Sequence, residues 1–225
     1  MSSAVSTKPK GIMRKLNVGT GIAFGLLLAT AAHFFAKNTF IEGEENPFLG
    51  DQIMITTMIG WALGFMIGVG AFVGPYRWLM NRDLSHDDQM WLAGKDAGIA
   101  RYFRFTTDHK VVGIQYLVIT MVLLGVGGTL AMMIRTQLAS PNNHFINHSM
   151  YNSFVGLHGI IMIIATIIMV TGPFGNFILP IMIGARDMAF PRLNALSFWL
   201  IFAAVPILLT APFIGGISTG WTAYA

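Results

Sequence analysis

The stretch VVGIQYLVITMVLLGVGGTLAMMI, Val111–Ile134, carries no charged side chain over 24 residues and is bracketed by Lys110 and Arg135. At 1.5 Å per residue a helix of that length extends about 36 Å, enough to cross the roughly 30 Å hydrocarbon core of a bilayer. Its apolar residues are continuous and do not alternate, which excludes a strand of a membrane barrel. Similar runs extend from Leu16 to Ala36, Ile53 to Tyr76, Asn152 to Ile183 and Leu193 to Ile217. The composition agrees: of 225 residues 54% are apolar and 11% charged, against about 25% charged in a soluble domain. Mean hydropathy is +0.63. A soluble enzyme, a disordered regulator and a fibrous repeat are excluded, and the expected fold is an all-α integral membrane bundle of five transmembrane helices. There is no cysteine, so a metal or haem held by this chain must use histidine, carboxylate or methionine.

Lysine and arginine positions set the expected orientation. Lys8, Lys10, Arg14 and Lys15 precede the first run. Arg77, Arg82, Lys95, Arg101, Arg104 and Lys110 lie between the second and third, and Arg186 and Arg192 between the fourth and fifth. These are 12 of the 14 basic residues, so their side is expected to be cytoplasmic, with the N-terminus inside and the C-terminus outside. The opposite side holds Lys37, Arg135 and the acidic Glu42, Glu44, Glu45 and Asp51. The net charge of +4 and the pI near 9.6 therefore report topology, and no nucleic-acid partner is expected. A cleaved signal peptide is the alternative for the first run, with Ala29-Thr30-Ala31 as the processing site. Gly60, Gly64 and Gly68 recur every four residues, a strip suited to close helix packing. Residues 82–105 read as a cytoplasmic linker between an N-terminal part with two spans, 1–81, and a three-span remainder, 106–225.

Polar groups at membrane depth are costly and draw attention to function. His158, between Leu157 and Gly159 in the fourth run, has three readings: a hydrogen-bonded packing residue, an axial ligand to haem iron or another metal, or a proton relay. His33 and His109 fall near the ends of spans, and His86, His144 and His148 in loops, where solvation suffices. His144 and His148 have the spacing of a metal pair only if helical, and Pro141-Asn142-Asn143 argues for a loop. Arg135 either snorkels to water or donates to a buried acceptor. Asp187 either pairs with Arg186 or Arg192 or, with Asn176 and Asn194 beside it, collects protons for a water chain.

From Thr106 to Ala225 the chain resembles subunit I of the haem–copper terminal oxidases, in the cytochrome c oxidase-like branch. The residues carrying the likeness are Thr107-Asp108-His109-Lys110, Ile134-Arg135, His158-Gly159, Phe174-Gly175-Asn176 and Ile183-Gly184-Ala185-Arg186-Asp187-Met188-Ala189-Phe190-Pro191-Arg192-Leu193-Asn194. Ser197-Phe198-Trp199-Leu200 and Gly220-Trp221-Thr222 complete it. The resemblance implies that His158 is an axial ligand of a low-spin haem of the a type. It makes Arg135 a hydrogen-bond donor to that haem, Tyr151 its neighbour, and Trp221 and Tyr224 an outer aromatic pair above the haems. Asp187, Asn176 and Asn194 become the entrance of a proton pathway. The implied activity is reduction of O2 to water with electrons from a cytochrome c-type donor, coupled to proton pumping, in a prokaryotic inner (plasma) membrane. Oxidase subunits II and III are the implied partners. The competing reading is a non-catalytic structural subunit of a respiratory complex.

The chain departs from the family pattern in places. The interval from His158 to Asn176 is one residue short, Met169 replaces a proline, Ala195 an asparagine, and Gln137 a cation-binding glutamate. Val126, Leu130, Met150 and Ser153 stand where the quinol-oxidising branch has polar residues, which favours a cytochrome donor. The retained Asp187 disfavours a nitric oxide reductase. The second axial ligand, the second haem and the copper ligands belong to later helices of the family. The expectation is therefore a split subunit or a fragment, completed by a chain with the remaining helices and holding no metal besides haem iron.

Overall fold

The structure, a computed structural model, describes residues 11–39, 51–95, 98–141, 143–214 and 222. Lys8, Lys10, Glu42, Glu44, Glu45, Asn142, Trp221 and Tyr224 lie outside the described residues, as does the expected end of the last span at Ile217. Within them the chain is helical, with no strand.

The elements are α1 (Val18–Thr39), α2 (Asp51–Gly68), α3 (Val73–Leu79), α4 (His86–Leu92), α5 (His109–Gln137), α6 (His148–Met169), α7 (Leu179–Met182) and α8 (Pro191–Ile214). A nine-residue π-helical stretch, Val170–Ile178, joins α6 to α7, so that His148–Met182 is one continuous 35-residue helical span. Four helical spans among the described residues are long and apolar enough to cross a membrane, or five if α2 and α3 count as one bent span. That bend corrects the expected single run from Ile53 to Tyr76. α3 turns 78° from α2 across the short break that holds Gly70, whose φ of +87° suits glycine.

Local sequence fixes the starts of the main helices. The Asp108 side chain accepts from Lys110 N at 2.9 Å and Asn147 from Met150 N at 2.8 Å, each satisfying an orphan N–H of a first turn. The Asn147 cap makes His148 the first residue of α6 and His86 opens α4, correcting the loop assignment of both. His144 remains in the connection outside α6, so the two do not share a helix.

In lipid, close packing and hydrogen bonds associate helices with little hydrophobic driving force. The glycine strip does so for α1 and α2: a Cβ built on Gly64 would overlap the carbonyl of Phe24, and one on Gly60 would lie 2.7 Å from the carbonyl of Leu28. Thr20 Oγ1 also donates to the Gly68 carbonyl at 2.8 Å. This hairpin seats on α8 through the indole of Trp61, which donates to the Ala203 carbonyl at 2.9 Å, and through Phe65, stacked on Phe202 at 5.7 Å.

The expected linker is a folded cap. Asp88, fully buried, accepts from Met13 N at 3.0 Å and from Ser85 Oγ at 2.8 Å, with Arg77 Nη2 at 3.4 Å. The Leu92 carbonyl accepts from Thr106 Oγ1 at 2.7 Å and Thr107 N at 2.9 Å, tying α4 to the approach to α5. Gln115 of α5 donates to the Tyr102 and Arg104 carbonyls at 3.0 and 3.3 Å. The Arg104 guanidinium lies 3.4 Å from the Trp91 ring centroid.

Candidate functional site

Two groups of polar residues occupy opposite ends of the α5, α6 and α8 bundle. At one end, α6 places His158 against α5. The close approach depends on Gly127, where an added Cβ would lie 2.7 Å from Met162 Sδ. His158 Nδ1 is 2.8 Å from the Gly127 carbonyl oxygen. A carbonyl only accepts, so Nδ1 carries the proton and, in the neutral imidazole, Nε2 keeps its lone pair. This is the tautomer an imidazole needs to ligate a metal, with the second-shell hydrogen bond that orients it. The residues present thus fit an axial haem ligand.

Arg135 stands eight residues beyond Gly127 on α5, and Tyr151 seven residues before His158 on antiparallel α6. Helical rise carries each about 10–12 Å toward the same end of the bundle. Arg135 is exposed and Tyr151 half-buried. The structure therefore brings His158, Arg135 and Tyr151 to one end; Trp221 and Tyr224 are outside the described residues.

At the other end, Asp187 Oδ1 lies 3.3 Å from His109 Nδ1 and accepts from Met188 N at 2.8 Å. Asp187 is 44% exposed and His109 5%. The carboxylate thus faces a histidine, correcting both the expected partner, Arg186 or Arg192, and the reading of His109 as a solvated side chain. Arg192 lies instead against α3, its Nη1 3.1 Å from a Cβ built on Gly74.

Asn176 lies against α5 one turn from His109, its Cβ 3.4 Å from a Cβ built on Gly113, and Asn194 is tied to α5 through Ser197 and Tyr116. Buried Asn176 donates through Nδ2 to the Gly172 carbonyl at 2.8 Å, a bond that lies within the π-helical stretch. Gly172 packs under the Tyr116 ring, 2.7 Å from its Cγ to an added Cβ. Tyr116 OH is 2.8 Å from Ser197 Oγ, which donates to the Asn194 carbonyl at 2.7 Å. Since the single Ser197 proton goes to that carbonyl, Tyr116 donates to Ser197. His109 Nε2, Asn176 Oδ1 and Asn194 Nδ2 are buried without a protein hydrogen bond, positions at which buried water ordinarily serves. Tyr116 has no part in the sequence reading, and Ser197 enters it only within the motif Ser197-Phe198-Trp199-Leu200, with no role of its own. The signal was a polar stripe on α5, in which His109, Tyr116 and Thr120 recur near helical spacing inside an apolar run. Among the described residues no cluster of three or more histidine, cysteine or carboxylate side chains offers a separate metal site.

The model of the family described as "Cytochrome C and Quinol oxidase polypeptide I" matches residues 111–225. The chain is 49% identical over 124 residues to cytochrome c oxidase subunit 1 of Thermostichus vulcanus, covering 55% of this chain and 22% of that protein. It is 46% identical over 123 residues to cytochrome c oxidase subunit 1 of Synechocystis, with the same coverage of 55% and 22%. With the haem-copper oxidase subunit I+III of Aeropyrum pernix it shares 43% over 122 residues, 53% of this chain and 15% of that protein. The chain thus spans about a fifth of the length of the first two relatives. No solved structure matches it.

Proposed function

The chain belongs to the cytochrome c and quinol oxidase polypeptide I family, and on that premise we propose that it is the low-spin haem-binding and proton-uptake portion of a respiratory terminal oxidase. The observation that carries the reading is the 2.8 Å bond from His158 Nδ1 to the Gly127 carbonyl, which presents Nε2 as a ligand. Arg135 would donate a hydrogen bond to a substituent of the same haem, Tyr151 would stand near it, and Trp221 and Tyr224 would form the outer-face aromatic pair above the haems. When bound, that haem, of the a type, supplies a one-electron relay from a cytochrome c-type donor. The activity it would serve is reduction of O2 to two waters by four electrons and four protons, at a centre whose haem and copper would be held by residues outside this sequence, on the same or another polypeptide.

Protons enter at Asp187, the exposed member of the His109 pair. They continue along water held by Asn176 Oδ1, Asn194 Nδ2 and the Tyr116–Ser197 pair. The three functional regions are residues 106–225, bearing this chemistry; 1–81, an added two-span hairpin; and 82–105, the cap joining them. The membrane is the prokaryotic inner membrane, with the cap on the cytoplasmic side. Oxidase subunits II and III are the assigned partners, a reading supported for III by the fused subunit I+III relative.

The visible spectrum of the purified complex tests this. His158→Ala should abolish the low-spin haem band while the complex still assembles. A band unchanged by the substitution would remove the ligand assignment and leave a structural role.

A further inference from the structure

Helix α3 is built the wrong way round for water. Its Gly74 faces the Arg192 guanidinium, and Arg77 reaches inward to Asp88 at 3.4 Å and to the Asp83 carbonyl at 3.0 Å. The opposite face, at i, i+4, i+7 and i+8, presents Phe72, Tyr76, Leu79 and Met80, all exposed, with Tyr76 at 60% and Leu79 at 74%; Trp78, one turn beyond Gly74 and so off that stripe, is 79% exposed. A helix resting on a protein in water buries its apolar stripe and turns its charges out. An apolar face left outward marks an interaction surface.

The occupant follows from direction and chemistry. α3 is turned 78° from α2; with α2 crossing the membrane, as the reading above has it, α3 lies close to the membrane plane at the level where α2 ends. Tyrosine and tryptophan are the aromatic side chains that favour this level. A cavity of about 210 Å³ opens beside α3 between Phe72 and Pro75 on one side and Leu193 and Leu196 on the other, edged by Arg192. An apolar slot next to a guanidinium suits an acyl chain below an anionic phosphate.

We infer that α3 is a membrane-interface anchor, its outward face inserted between headgroups and acyl chains of the leaflet that the C-terminal end of α2 reaches. The chain is free of cysteine, so single labels can be placed without altering other thiols. The test uses Leu63→Cys on α2, Leu79→Cys on α3 and Arg82→Cys beyond it, in the full chain within its purified complex. Each is nitroxide-labelled in nanodiscs of phosphatidylethanolamine and phosphatidylglycerol, and collision with oxygen, which enters lipid, is compared with collision with a nickel chelate, which stays in water. Position 79 should favour oxygen several-fold, less strongly than position 63, and position 82 should favour nickel. If position 63 favours oxygen while 79 favours nickel, the anchor is refuted although α2 still spans. A label at 79 shielded from both reagents would mean that protein covers α3, which also overturns the proposal. Nickel access at 63 would remove the membrane placement of α2 itself, and the anchor with it.

Discussion

His109 Nδ1 lies 3.3 Å from Asp187 Oδ1, so the first turn of α5 and the loop before α8 meet at this side-chain contact. The imidazole is nearly buried and the carboxylate half-exposed, which puts the contact at the boundary between solvent and the polar interior. The carboxylate thus meets solvent on one side and the buried His109 on the other.

Asp187→Asn keeps the shape and removes the exchangeable carboxyl proton. Oxygen consumption and proton uptake by the complex should fall roughly tenfold or more, equivalent to about 1.4 kcal/mol or more on the limiting step. Turnover and uptake at the original level would count against the pathway.

Gly127→Val should separate α5 from α6 at the bond that orients His158, because even a Cβ there lies 2.7 Å from Met162 Sδ. Overpacking of this kind costs about 1–3 kcal/mol. A lowered thermal midpoint should accompany loss or broadening of the low-spin band; the neighbouring Gly128→Ala, which meets nothing within 4 Å, should leave the spectrum as it was.

Gly64→Leu should loosen the N-terminal hairpin, since an added side chain overlaps the Phe24 carbonyl, a backbone atom that has no rotamer to escape into. The expected loss is about 1–3 kcal/mol, read from denaturant titration in detergent. A comparable midpoint would show that the glycine strip is not where α1 and α2 are held together.

Asp88→Ala should release the Ile12–Lys15 turn. Asp88 is fully buried and takes hydrogen bonds from Met13 N and Ser85 Oγ beside Arg77. Leaving the Met13 N–H without its acceptor costs about 1–3 kcal/mol, while the part-exposed Arg77 turns to solvent. Faster backbone amide exchange at Met13 and Arg14, with α5 and α6 unaffected, is the expected signature.

Most spans were legible because a charge-free run of membrane length has one common explanation, and Val111–Ile134 grew only into the caps at either end. The second run misled because hydropathy sums side chains and carries no direction: Gly70 turns the backbone through 78° without interrupting the apolar sequence. His158 stood out as an ionisable group at depth, but the Gly127 carbonyl that selects its tautomer sits 31 positions away and has no side chain to announce it. Asp187 drew notice from its flanking amides, whereas its real partner, His109, resembled a solvated end residue. The order within the linker is invisible in composition because it comes from buried pairings such as Asp88 with Met13.

The bond from Trp61 to Ala203 spans 142 positions of sequence, and that separation has a meaning in time. Synthesis proceeds from the N-terminus at about 5–20 residues per second, so α1 and α2 leave the ribosome several seconds or more before α8. Their glycine-packed hairpin is thus a berth that precedes its vessel. The last described helix is synthesised after the surface on which it docks.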